Sequence, residues 1–294
     1  KILNNKTFDV IIAGDLYSLS SASKYKKSHI IYDCREIYTE LAAHHNKPFL
    51  KIILYWYEKY FLKYVNTILT TAESDEKLLQ KKYHNISHLS WKIIYNYPAR
   101  QFINKSLNLK QKLNISKEYI TIVYQGVIHR GRGVGQLISV TKNNQNIISI
   151  IVGDGVDKDY YVQRAKNLNI IDRVKFIDKV PYLELFNYTS ICDIGWLIIK
   201  SRGISNQLAL PNKLFEYTFM GLPVISSPLE NMQKIIEKYN LGKIVNENST
   251  DEQLNAIEYI QNNPKEYAHI KEKINKKFTW DVQHQKFIDI INEK

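Results

Sequence analysis

The sequence predicts an α/β protein made of two doubly wound parallel-sheet domains. Short β-branched runs alternate with longer amphipathic stretches along the chain, the pattern of βαβ units. A length of 294 residues suits one large or two ordinary domains, and 44% hydrophobic with 24% charged residues supplies enough apolar material for a buried core. Glycine is placed asymmetrically: none occurs between Gly14 and Gly126, and thereafter glycines gather at the ends of apolar runs, where backbones turn tightly or approach ligands.

In the first half, FDVIIAG (8–14), HIIYD (29–33), NTILTT (66–71) and WKIIY (91–95) read as buried strands. Between the second and third, Leu50, Leu54, Tyr57, Phe61 and Val65 recur at helical spacing. Past Pro98 the segment 99–118 is polar and aperiodic, so the boundary is drawn there, giving domains 1–98 and 99–294. In the second half, YITIVYQG (119–126), ISIIVGDG (148–155), RVKFI (173–177), CDIGWLI (192–198) and LPVIS (222–226) read as strands, each followed by a helical stretch. The tail 251–294 is helical in pattern, with Trp280 opening its last stretch.

A net charge of +12 suits phosphate-bearing or anionic-surface partners but names no ligand, because Lys, Asn, Ile and Tyr crowd the whole chain. The cations are scattered and no helix-turn-helix or RNP-like string occurs, so no nucleic-acid partner is expected. Cys34 and Cys192 stand far apart, and the adjacent His44 and His45 do not share a helical face; no metal is expected, and a reducing compartment is. No run approaches the roughly 18 to 20 apolar residues of a membrane span, and the start lacks an apolar signal core, so the expected location is cytoplasmic. The sequence begins with Lys1 and reaches its first strand almost at once, which reads as part of a longer chain.

Ligands of open α/β sheets bind outside the carboxyl ends of strands, and two segments qualify. In YQGVIHRGRGVGQLI (124–138), Gly126 ends a strand and Arg130 and Arg132 follow among glycines as a helix begins. Backbone N–H groups, a helix amino terminus and arginine forks together suit a diphosphate, and His129 lies in the same loop. The spacing is neither the dinucleotide fingerprint nor a P-loop, and alone it reads as a solvated loop with two surface arginines. In SNQLALPNKLFEYTFMGLPVIS (205–226), Pro211 suits the first helical position, with Lys213 and Glu216 on one face behind it. Lys213 can meet phosphate oxygens and the Glu216 carboxylate can accept two vicinal ribose hydroxyls; the plain alternative is a surface ion pair worth about 0.2 to 0.5 kcal/mol.

The string P-N-K-L-F-E-Y-x-x-x-G-L-P-V-I, with Y-Q-G-x-x-x-x-x-R-G and I-V-G-D-G before it, resembles the nucleotide-sugar-binding domain of family 4 glycosyltransferases of the GT-B fold, over most of 119–292. The resemblance implies two Rossmann-like domains facing each other across a cleft. It further implies transfer of a sugar, with retention, from a nucleoside diphosphate donor, UDP-linked, to a glycan or lipid-linked acceptor in surface-polysaccharide synthesis. Arg132 then clamps the diphosphate beside Lys213, Glu216 holds the ribose, and Gly126 permits close approach. Arg130, Asn206, Pro211, Asn212 and Leu214 complete the donor-side set, and Arg173 to Val180 flank the base. No cofactor is implied beyond the nucleotide sugar as co-substrate, and no Asp-x-Asp pair follows a strand to hold a metal.

Departures are equally specific. The family's first glutamate falls at Leu208, and the arginine many members carry after the first glycine is Val127. In HIIYDCREIYTE, Arg35 stands where a histidine is expected; it is the acceptor-side candidate, or half of a solvated pair with Glu36. Further βα units, including a glycine-rich acceptor-side loop, are expected before FDVIIAG, so the first domain is read as incomplete at its amino terminus. These departures keep open a noncatalytic module that binds a nucleotide sugar or a partner subunit. The stretch 47–65, with aromatics beside Lys51, Lys59 and Lys63, is read as core with solvated lysines or as a peripheral contact with the inner face of a membrane.

Overall fold

The computed structural model describes residues 6–44, 46–100, 108–201 and 204–293. In chain order the elements are β1 (Val10–Ala13), α1 (Leu19–Ala22), β2 (His29–Asp33), α2 (Pro48–Leu62), β3 (Thr67–Thr70), α3 (Glu73–Lys82) and β4 (Ser90–Ile93). There follow α4 (Leu109–Lys112), β5 (Ile120–Gln125), α5 (Val134–Asn143), β6 (Ile147–Val152), α6 (Lys158–Asn167), β7 (Val174–Ile177), α7 (Tyr182–Thr189) and β8 (Ile194–Leu197). The chain ends with α8 (Ile204–Gln207), α9 (Asn212–Phe219), β9 (Val224–Ser226), α10 (Glu230–Tyr239), β10 (Gly242–Ile244), α11 (Thr250–Asn262), α12 (Pro264–Glu272) and α13 (Trp280–Asn292). Every strand expected from the sequence forms. β10 was not anticipated, because a three-residue edge strand has no room for a periodic signal.

Two compact units result, and their division differs from a single boundary at 98. The first comprises Lys1–Asn96, Ser201–Leu210 and Asp281–Lys294, the second Tyr97–Lys200 and Pro211–Trp280. The first unit holds a parallel sheet in the order β1-β2-β3-β4. Alternation along its strands sorts side chains to two faces: Ile30, Tyr32 and Ile68 join the larger core, while Ile31 and Leu69 point the other way. That second face would stand in water if the chain ended at Trp280. The final helix covers it, Ile290 packing on Ile31 and Leu69 with Phe287 and Ile291 alongside, and Lys92 pairs with Glu293 at 2.7 Å. An amphipathic helix therefore docks where apolar area awaits it, which chain position alone does not reveal.

The second unit holds six parallel strands in the order β10-β9-β8-β5-β6-β7. Its central strands are apolar on both faces, as buried parallel strands must be, and β6 has no exposed residue. Winding proceeds outward from β5 through β6 and β7, then restarts at β8 on the other side of β5. The carboxyl ends of β5 and β8 thus form the topological switch point, where neighbouring connections part and leave a crevice. Cys34 and Cys192 are both buried free thiols, and burial pushes both thiols up.

Candidate functional site

The glycines at this switch point are there for steric reasons. Gly133 has φ +83°, and a Cβ on it would lie 2.3 Å from the Ile198 carbonyl oxygen. The close approach lets the Trp196 indole N–H donate to the Gly133 carbonyl at 2.9 Å, joining the β5 loop to β8. At Gly126, φ +119°, a Cβ would lie 3.0 Å from Lys213 Cε, so the absent side chain makes room for the lysine.

Pro211 precedes α9 at its amino-terminal cap, in an extended conformation (φ −72°, ψ 144°), rather than standing inside the first turn. Its carbonyl accepts from the Leu214 N–H at 3.0 Å. Lys213 and Glu216 then share the α9 face toward β5. Lys213 is half-buried, its Nζ 3.8 Å from the centre of the Tyr124 ring. Burial first, and the neighbouring Arg132 charge second, push the Lys213 ammonium down to about 7, while Glu216 opposes the shift. Glu216 is 6% exposed, and burial pushes its carboxyl up from the usual range.

Its two oxygens are separately held. Gln125 Nε2 donates to Oε2 at 2.5 Å, and the Tyr182 hydroxyl donates to Oε1 at 3.1 Å. The Gln125 amide is oriented in turn, since Thr189 Oγ1 donates to its Oε1 at 2.7 Å. The Gln125 backbone N–H meets the Tyr217 hydroxyl at 3.1 Å. A buried carboxylate is thereby fixed from both sides, each donor compensating part of its desolvation.

The other candidate residues lie as follows. Arg132 is exposed in the loop before α5, near enough for its charge to act on Lys213 and Tyr124. Arg130 points elsewhere: its Nε pairs with Asp157 Oδ1 at 3.2 Å and its guanidinium covers the Tyr160 ring at 4.7 Å. His129 braces the turn through its Nδ1 and the Arg130 carbonyl at 2.8 Å. Asn212 is exposed beside Pro211, whereas Leu214 is fully buried with its N–H bonded to the Pro211 carbonyl, so its side chain faces the core. Arg173 donates through one nitrogen to the carbonyls of Thr141, Asn144 and Ile147 at 2.6 to 3.2 Å, tying down the end of α5. Asn206 lies in α8, and its side chain, like all of His45, is outside the described residues. Leu208 packs against the core of the first unit as an apolar contact. Arg35 is exposed and paired, with Asp33 at 2.7 Å.

Sequence reasoning missed Gln125, Tyr182 and Thr189. The residue before Gly126 in Y-Q-G was a usable signal for the first, since it ends the strand at the switch point. Nothing local marks the other two.

The family described as "Glycosyl transferases group 1" matches residues 105–277, well over half of the chain. The chain belongs to the glycosyl transferases group 1 family. Among relatives of this group 1 family member, the O-antigen biosynthesis glycosyltransferase WclY of Escherichia coli is 23% identical over 64% of this chain and 51% of its own length. The chitobiosyldiphosphodolichol beta-mannosyltransferase of Candida albicans is 24% identical over 69% of this chain and 47% of its own. The chain thus spans about half the length of the curated relatives it matches. Anabaena HepE, solved in complex with UDP, has a TM-score of 0.78 and 14% identity, covering 98% of this chain and 79% of that one. The two parallel sheets and this likeness define the fold as GT-B.

Proposed function

We propose that this chain binds a nucleoside diphosphate sugar, UDP-linked, at the β5–β8 switch point and transfers its sugar with retention to a glycan or lipid-linked acceptor in surface-polysaccharide synthesis. The observation that carries the reading is the convergence of Lys213, the Arg132 charge and a doubly held Glu216 beside Gly126. In this reading the diphosphate occupies the space beside Gly126, and the Glu216 oxygens accept the vicinal ribose hydroxyls, the Tyr182 hydroxyl turning aside or sharing its acceptor. As the glycosidic bond stretches, negative charge grows on the leaving diphosphate, and Arg132 and Lys213 stabilise it without reorganising. No metal takes part, the two side-chain cations serving in its place, and Pro211 and Asn212 set the entry of α9 rather than the chemistry. The chain works in the cytoplasm at the inner face of the membrane.

Support for a nucleoside diphosphate donor comes from the solved HepE complex with UDP, and for a surface polysaccharide from the O-antigen role in the name of the E. coli relative. A second reading, a noncatalytic nucleotide-sugar-binding module, is favoured by Leu208, an apolar contact where the family resemblance calls for a glutamate. The two readings share binding and differ in turnover. Calorimetric titration with UDP, GDP and ADP in EDTA tests the shared part. UDP binds saturably, and Arg132→Ala weakens it by at least about tenfold, the loss of a charge-assisted pair of hydrogen bonds. Equal binding of all three nucleotides, an EDTA-sensitive affinity, or indifference to Arg132→Ala overturns the donor site as drawn. Release of UDP from a UDP-sugar by the same chain separates the transferase from the silent module.

A further inference from the structure

Most amphipathic helices turn one apolar stripe inward and a polar face to water. α2 is apolar on both sides. Its inner side packs on the first unit's core through Leu50, Leu54, Phe61 and Leu62, with Tyr55 and Tyr57 beside them. The rotation about the helix axis is locked by Glu58, 1% exposed, which accepts from the Tyr32 hydroxyl at 3.0 Å and from the Tyr83 hydroxyl, and meets Lys82 at 3.5 Å. Turning the helix to bury its other face would carry that carboxylate outward, breaking all three contacts and leaving the buried Tyr32 and Tyr83 hydroxyls without their acceptor.

The outer side is therefore covered by none of the described residues, and it is large. Phe49 is 81% exposed, Ile52 54%, Ile53 63%, Trp56 60% and Tyr60 55%. These positions follow the i, i+3, i+4, i+7 and i+11 rule, so they form one continuous stripe along the helix. Lysines flank it. Lys59 Nζ lies 5.2 Å from the Trp56 ring and Lys63 Nζ 3.8 Å from the Tyr60 ring, while Lys47 stands exposed just before the helix. Lys26 adds a further cation 5.8 Å from the Tyr64 ring at the same end. The only carboxylate on α2 is the buried Glu58, and Glu40 nearby is paired with Lys51 at 3.0 Å. The exposed stripe thus carries cations without exposed acids.

We propose that this face of α2 lies flat on an anionic lipid bilayer surface. Aliphatic and aromatic side chains enter the boundary between headgroups and acyl chains, Trp and Tyr rings suit that polar-apolar border, and the lysine stems let their ammonium groups reach lipid phosphates. The helix rises only about 22 Å along its axis, so it rests in the surface plane instead of crossing. Among the described residues, no helix is long and apolar enough to cross a membrane. Charge complementarity selects the occupant: an apolar stripe flanked by lysines, on a helix with no exposed acid, matches an anionic headgroup layer, whereas a protein partner would have to supply acids on both flanks.

Vesicle flotation tests this on the intact chain. It floats with phosphatidylcholine vesicles that contain phosphatidylglycerol, binds vesicles of phosphatidylcholine alone much more weakly, and loses the preference in high salt. Replacing Lys59→Glu together with Lys63→Glu weakens binding to the anionic vesicles by at least about twentyfold, at roughly fivefold per lysine near the surface. Phe49→Ser with Trp56→Ser abolishes flotation, and the tryptophan emission of the parent chain shifts to the blue on addition of anionic vesicles, a shift that the variant lacking Trp56 does not show. Flotation indifferent to phosphatidylglycerol or to these substitutions overturns the proposal. So does a dimer in sedimentation equilibrium that the serine substitutions dissolve while the chain does not float, since the stripe would then be an interface between copies. UDP titration of the same variants reports their folding. It also separates this proposal from the donor-site reading, because either can fail while the other stands.

Discussion

At the residue scale, Lys213 is the most informative side chain, because its ammonium sits near neutrality before any ligand arrives. Bringing a diphosphate beside it favours the charged form and raises its pKa, so binding takes up a proton. The sign follows: affinity is full below about 7, the free-state value, and falls as pH rises above it toward the bound-state value. Titrations from pH 7 to about 9, in buffers of differing ionisation enthalpy, should show weakening affinity and proton uptake. Lys213→Met should bind UDP weakly, with neither effect. A pH-independent affinity in the parent chain would remove Lys213 from the diphosphate. That Lys213 and Glu216 share one helix was legible because a short motif holds both. Their supports were not: Gln125 is 91 residues from Glu216, and Tyr182 is 34. Hydrogen bonds over such separations exist only once the sheet order is set.

At the element scale, the β5 loop and the end of β8 depend on one another through backbone crowding. Gly133→Ala would place a methyl group 2.3 Å from the Ile198 carbonyl oxygen at a residue with φ +83°. The left-handed backbone alone costs an L-residue about 1 to 2 kcal/mol, and the contact adds to it. The expected result is a loss of at least about 2 kcal/mol in denaturant unfolding of the second unit, with UDP affinity falling as the loop shifts. Full retention of both would mean that the loop relaxes freely. The α2 helix shows the opposite relation between sequence and structure. Its apolar residues run all the way round, so periodicity identified the helix and its inner residues, but only packing shows which aromatic residues remain outside.

At the scale of the whole molecule, the chain composes its first unit from three separate segments and its second from two. The last helix is the clearest case: Ile290, 2% exposed, closes the second face of the first sheet on Ile31 and Leu69. Ile290→Ala should destabilise the first unit by about 2 to 5 kcal/mol while leaving UDP affinity unchanged, measured by thermal unfolding with and without UDP. UDP in turn should raise the unfolding temperature of the second unit by mass action. A substitution at Ile290 that abolished UDP binding would show that the final helix serves the donor unit instead. By itself the sequence determined the α/β class, the strands through β9, the family resemblance and the Lys213–Glu216 pair, because each is written in local periodicity or in residues a few positions apart. Tertiary structure decided which unit receives 201–210 and 281–294, the turning of Arg130 to Asp157 and Leu214 to the core, the support of Glu216 by Gln125 and Tyr182, and the outward aromatic face of α2. These depend on which surfaces meet, and a chain acquires that information only when distant segments compete for the same apolar area and the same buried hydrogen-bonding groups.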